Sequence, residues 1–383
     1  MRYQKKRIKL DNPLSFWTHF PEEERIFFYH PLKKEFILGA KRLQTFSARD
    51  SCEEYAYVFS LMTFFDSVKD EKWRGFGNET IAFQYYLVEK NGSQTLYYAG
   101  EPVEIENQPI EKCRHVYSYG EDDYEEWQQL FARVNDAIAA REVNKVVISR
   151  EVKIKCDTAI KVESMLQNLL EKNQNSRSFI FAYSKDGKTF LGATPEILVQ
   201  KERHKILSYA LAGTSLRDGR NDEAERTSLL HDEKNRHEHQ VVIDTITNVM
   251  KKFTPAVRVA ETSILTLRHV HHLQTPIYAR DQAGTLPEWA ARLHPTPALG
   301  GNPPNKALEL IRKYEKHERG MYAAPLGVMD ARGDGIFVAG IRSALIHGNV
   351  AYAYTGCGLV DRSEQRAEYV ETNDKLRTII ESL

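Results

Sequence analysis

Three carboxylates, Glu238, Glu368 and Glu371, sit where their neighbours invite a chemical reading. Glu238 lies in Arg236-His237-Glu238-His239, and Val241, Val242, Thr245 and Val249 follow it at +3, +4, +7 and +11. That is the spacing of one helix face. A carboxylate on an apolar face must meet a cation, either a metal or the basic partner of an internal salt bridge. The flanking histidines are two residues apart, whereas a helical zinc pair needs a spacing of about four, so they are not read as a pair. Glu368, Glu371 and Lys375 share a second predicted helix face. Such a face is either simply solvated or, with Glu238 nearby, a hard-oxygen site suited to Mg²⁺ and to the oxyanions of a substrate.

Two further titratable residues stand apart from these. Lys145 opens an apolar strand, Lys145-Val146-Val147-Ile148, and shares a face with Val147. Glu196 precedes the apolar run that begins at Ile197. Separately, each reads as an edge charge whose head reaches water. Together they offer a desolvated amine as base and a protonated carboxyl as acid. Thr355-Gly356-Cys357-Gly358 and Leu211-Ala212-Gly213-Thr214 are glycine-bearing segments. They are either turns or places where backbone N–H groups approach an anion.

The elements that must position these groups follow from periodicity. Residues 125–141 carry Trp127, Leu130, Val134 and Ile138 at helical spacing. Strands are predicted over 81–88, 145–152, 178–183 and 189–191, with turns at Asn91-Gly92 and Asp186-Gly187. Helices are predicted near 160–172, over 222–252 as one long helix, and from about 363 to the end. Strands form hairpins more often than they alternate with helices, which argues for an α+β fold with largely antiparallel sheets.

Composition narrows the classes. The 53 basic and 53 acidic residues cancel, leaving no net field to draw the chain to nucleic acid or anionic membrane. Cys52, Cys113, Cys156 and Cys357 are widely spaced and read as reduced structural thiols. The basic start leads into no apolar segment, so neither a signal peptide nor a membrane span is expected, and a cytoplasmic protein follows.

In order along the chain, VNKVVISRE, LGATPEILV, LAGTSLRDG, DEKNRHEHQVVID, VHHLQTPI, LHPTPALGGNP, ERGMYAAPLGV, AGIRSALI and TGCGLVDRSEQRAEYVETNDKLRTI resemble the chorismate-using enzymes of menaquinone, siderophore and tryptophan biosynthesis. The resemblance spans about residues 140–380. It implies one domain over 1–383, with 1–120 the less clearly matched part and 121–383 the part bearing the motifs. It also implies two large, mostly antiparallel sheets packed face to face with helices outside. Mg²⁺ would be held by Glu238 and Glu371, with Glu368 close by. Chorismate would be held by amides near Gly213, Thr214, Gly356 and Gly358, with Arg342 and Lys375. His272 matches the family's active-site histidine.

Within the family, Ala212 stands where aminodeoxychorismate synthases have a lysine, and Lys145 is a residue that anthranilate synthases usually lack. Pro295-Thr296-Pro297-Ala298-Leu299-Gly300-Gly301 resembles the water-using isochorismate synthases and brings Ala298 and Leu299 to the substrate. In that chemistry Lys145 activates water for addition at C2, and Glu196 protonates the departing C4 hydroxyl. No glutaminase subunit is then expected. Salicylate synthases share Lys145 and Glu196; an amine-adding enzyme and a non-catalytic metabolite-binding relative are the other readings. The residues do not distinguish a menaquinone from a siderophore destination.

Overall fold

The strand Val270–Arg280 shows why this sequence makes sheet. Its residues alternate between buried and less buried along almost the whole length, the period of a strand with one face on a core. The computed structural model describes residues 3–47, 50, 52–120, 123–174, 176–217, 221–267 and 270–383. Among them, 20 strands join in a single hydrogen-bonded ladder. Its pairings are antiparallel, from the hairpin Glu79–Lys90 with Ser93–Tyr98 to the long pair Lys145–Cys156 with Val350–Val360.

Two arms leave the strand Glu79–Lys90. One passes through Glu35–Phe46, Arg25–His30, Phe179–Lys185, Lys188–Thr194 and Ser343–His347 to Val350–Val360 and Lys145–Cys156. The other passes through Tyr57–Leu61, Pro325–Asp330, Gly335–Ala339, Ile197–Glu202 and Lys205–Leu216 to Val270–Arg280. The arms pack together: Phe28, Phe181, Phe190 and Leu345 of one share a core cluster with Phe59, Leu326, Ile336 and Val338 of the other. Each such burial is worth roughly 1.5–3 kcal/mol over exposure. The two face-to-face sheets implied by the resemblance are therefore arms of one ladder. The joint exists because one edge of Glu79–Lys90 pairs with Tyr57–Leu61 near its start and with Ser93–Tyr98 further along.

Helices cover the outside. Trp127, Val134 and Ile138 of Asp123–Ala139, with Ala307 and Ile311 of Pro304–Tyr314, pack on Val146 and Ile148. This is why Lys145–Cys156 begins buried on both faces. The long helix expected over 222–252 is instead two, Asp222–His231 and Glu233–Lys251. Asp232 breaks it with an extended backbone, and its side chain caps the second helix by accepting from the Asn235 N–H at 2.7 Å. A short carboxylate favours that cap over a helix interior. No helix among the described residues is long and apolar enough to cross a membrane.

Candidate active site

Four elements meet around a cavity of about 220 Å³. Lys145 stands at the start of Lys145–Cys156, and Gly356 and Gly358 lie on the paired strand Val350–Val360. Glu368, Glu371 and Lys375 come from the helix Gln365–Ile380, which is tied to that strand: Lys375 Nζ donates to the Gly356 carbonyl at 2.8 Å, and Thr355 Oγ1 to the Thr372 carbonyl at 2.9 Å. Glu238 comes from Glu233–Lys251. Every residue expected above to act in catalysis or to hold substrate or metal faces this cavity, including Glu196, His272, Ala298, Leu299 and Arg342.

Gly213 shapes one wall. The ladder slips register between Ala212 and Thr214, and Gly213 takes a positive φ of 78° there. A bulge of this kind re-aims the neighbouring groups. The Thr214 N–H donates to Asn235 Oδ1 at 3.0 Å, which locks the bulge to the start of the helix carrying Glu238. Thr214 Oγ1 meets His272 Nδ1 at 2.9 Å.

Lys145 is only 5% exposed, and its Nζ lies 2.5 Å from Glu238 Oε1. Both readings of Glu238 therefore meet in one place, since the carboxylate that pairs with Lys145 also faces the cavity. Gly358 makes room for that lysine: a Cβ there would lie 2.7 Å from Lys145 Cε. Gly358→Ala is expected to leave the fold intact, because the colliding atom belongs to a flexible side chain, while displacing the amine. A misplacement of about 1 Å can cost about 10²-fold in rate. A folded Gly358→Ala protein with unchanged kcat would show that the position of Lys145 is not critical.

Burial and charge set the protonation states. Glu196 is 8% exposed, and burial pushes its carboxyl up to about 7 against the pull of Lys145, Lys375 and Arg342. Burial drives His272 down to about 3, helped by Arg342 and Lys375 and opposed by Glu371, so this ring is neutral near pH 7. Lys375, 2.7 Å away, holds the Glu371 carboxyl below its usual range, while burial and the neighbouring Glu371 charge raise Glu368.

A hard divalent cation fits these donors. Glu238, Glu368 and Glu371 offer only oxygen, the ligand preferred by Mg²⁺. Glu238 and Glu371 are already in contact with the ammonium groups of Lys145 and Lys375, which shows where positive charge is wanted.

Arg319 also lines the cavity, and the sequence reading gave it no role. It is 1% exposed, pairs with Glu315 at 2.6 Å, and donates to the Leu299 carbonyl at 2.9 Å and the Val147 carbonyl at 2.7 Å. It thereby fixes the 295–300 segment against the strand that carries Lys145. In the sequence it ends the charged run Lys316-His317-Glu318-Arg319, just before Gly320, Met321, Tyr322 and Ala323, which periodicity cannot distinguish from a surface charge.

Residues 99–383 match the family described as chorismate binding enzyme. The chain is 38% identical over 266 residues to isochorismate synthase MenF of Bacillus subtilis, a match covering 68% of this chain and 56% of that protein. It is 38% identical over 271 residues to the salicylate biosynthesis isochorismate synthase of Pseudomonas aeruginosa, covering 69% and 56%. The matched region thus spans little more than half the length of these two relatives. Among solved structures, the menaquinone-specific isochorismate synthase MenF of Escherichia coli superposes with a TM-score of 0.84 at 22% identity, over 99% of this chain and 94% of that one. The fold is shared.

Proposed function

The chain belongs to the chorismate binding enzymes, and from that premise we propose that it is an isochorismate synthase, a Mg²⁺-dependent isomerase that converts chorismate to isochorismate. One observation carries the reading: a buried lysine and a buried, proton-retaining glutamate, Lys145 and Glu196, face the same small cavity. The relatives named above as isochorismate synthases support it.

In this reading Arg342 and Lys375 hold the substrate's carboxylates with the N–H groups near Gly213, Thr214, Gly356 and Gly358. Neutral His272 contributes hydrogen bonding rather than charge, and Ala298 and Leu299 pack on the substrate. Lys145 takes a proton from the water that adds at C2, so it must first leave Glu238 and give up its own proton, because an ammonium has no lone pair. Glu196 passes its proton to the C4 hydroxyl, which leaves as water. Glu238 and Glu371, with Glu368, would hold Mg²⁺, which supplies positive charge beside the ring carboxylate. Water is the nucleophile, so no glutaminase partner is needed. We read the whole chain as one domain, because Arg25–His30 pairs directly with Phe179–Lys185, and as acting in the cytoplasm, which suits its four free cysteines.

The test is purified protein with chorismate and Mg²⁺, the products being separated by chromatography. Isochorismate without pyruvate is expected, with turnover lost in excess chelator and restored by Mg²⁺. Full activity in chelator would remove the metal from the mechanism. Pyruvate release without an added lyase would make the enzyme a salicylate synthase. An ammonia-dependent product would place it in the amine-adding branch, and binding without conversion would make it a non-catalytic relative.

A further inference from the structure

On the reverse side of the strand that carries His272 lies a second constellation. Successive residues of a strand point to opposite faces. His272, opposite Thr214 in the ladder, faces the catalytic cavity, while His271, opposite Ser215, faces the helix Asp222–His231. Asp222 and Glu225, one turn apart on that helix, reach the same ring. His271 Nε2 lies 3.6 Å from Asp222 Oδ1 and 3.4 Å from Glu225 Oε2, and the three donor atoms all lie within 4.8 Å of one another.

Three features indicate what fills this space. His271 is fully buried, and its Nε2 has no hydrogen-bond partner among the described residues. Its Nδ1 is engaged by Thr266 Oγ1 at 3.0 Å. If Nδ1 is the donor in that bond, Nε2 directs a lone pair between the Asp222 and Glu225 carboxylates, as a metal-ligating imidazole does. The separations are too long for good hydrogen bonds. They match the edge of a tetrahedron, roughly 3.3–3.4 Å, expected when bonds of about 2.0–2.1 Å run from each donor to a Zn²⁺ ion. The supports of a metal site are also in place: Thr266 orients the imidazole, and Arg217 Nε and Nη2 donate to the Asp222 carboxylate at 2.8 and 2.6 Å.

We propose that Asp222, Glu225 and His271 form a second divalent-cation site, distinct from the Glu238–Glu371 site and selective for a borderline transition cation, Zn²⁺ foremost. One imidazole nitrogen with two carboxylate oxygens favours such an ion over Mg²⁺. Glu225 also borders a wider cavity of about 1050 Å³, from which water can reach a fourth coordination position. The ion ties the helix Asp222–His231 to the strand Val270–Arg280, and so steadies Thr214 and His272 from behind.

The proposal is independent of the reaction assigned above and is read spectroscopically. Chelator-treated full-length protein is titrated with Co²⁺, a coloured substitute for Zn²⁺, in excess Mg²⁺. One equivalent should bind with the intense visible absorption of a tetrahedral site, and Zn²⁺ should abolish the band and raise the unfolding temperature. Asp222→Asn and Glu225→Gln should each weaken Co²⁺ binding at least about tenfold, the lower end of what even outer-shell changes cost. Glu225→Gln alters a partly exposed side chain and keeps the test valid if His271→Gln does not fold. Glu238→Gln should leave the band unchanged. The proposal is overturned if no band forms. It is equally overturned if the band survives in both Asp222→Asn and Glu225→Gln, or disappears in Glu238→Gln.

Discussion

Lys145→Ala is expected to lower kcat by at least about 10²–10⁴-fold, the usual worth of a positioned acid or base, with chorismate binding largely kept. The structure adds a complication that a companion variant resolves. Lys145 pairs with Glu238 in a nearly buried setting, 6% and 23% exposed, so deleting it also strands a carboxylate. Removing one partner of a buried pair is destabilising by about 3–5 kcal/mol, an upper bound here because Glu238 keeps some contact with solvent. Lys145→Arg separates the two roles. A guanidinium keeps the charge beside Glu238 but does not deprotonate in proteins. Thermal stability should recover in Lys145→Arg while turnover does not. A folded Lys145→Arg protein with near-parental kcat would reduce Lys145 to a structural ion pair. Isochorismate formed in ¹⁸O-labelled water should carry the label in its C2 hydroxyl. An unlabelled product would mean that the hydroxyl migrates within the substrate, and the role of Lys145 as water activator would have to be abandoned.

Glu196→Gln is expected to lose turnover on the same scale, because an amide has no proton to give the departing hydroxyl. Its pH behaviour distinguishes this loss from a structural one. The Glu196 carboxyl, held at about 7 by burial, is the acid only while protonated, so kcat/KM of the parent enzyme should fall as pH rises through about 7. The residual activity of Glu196→Gln should lack that limb. The substitution should affect stability in the opposite sense to turnover. The folded chain holds the Glu196 proton more tightly than the unfolded chain does. Between about 4.5 and 7 the parent therefore loses stability as pH rises, in total on the order of 3 kcal/mol. Glu196→Gln escapes that loss and should be at least as stable as the parent at pH 8. A variant that unfolds more readily than the parent at that pH would assign Glu196 a structural role.

The chemistry-bearing residues were legible in the sequence because each broke a local rule. Lys145 opens an apolar strand, Glu238 reads as lying on the apolar face of a helix, and Glu368, Glu371 and Lys375 repeat at helical spacing. Motif order then implied that they belong together. Most elements were also legible, since periods of two and 3.6 residues are local properties: the helix expected over 125–141 is Asp123–Ala139, and the Asn91-Gly92 and Asp186-Gly187 turns join strands. The break at Asp232 was not read, because its capping bond to Asn235 competes with a helical pattern that otherwise runs on.

What the tertiary structure decided is pairing at long range. The contact of Lys145 with Glu238 joins residues 93 apart in sequence, and Arg150 Nε donates to Thr372 Oγ1 across 222. No periodicity encodes such partners; they follow from how the ladder doubles over and which helix lies on which strand. The same holds for Arg319, whose role depends on carbonyls at Val147 and Leu299, and for His271, whose neighbours Asp222 and Glu225 lie on a helix far behind it in the chain. The sequence by itself determined which side chains are out of place for a bland surface or core. Only the folded chain determined which of them meet, because meeting is set by the register of distant strands and by the burial that follows from it.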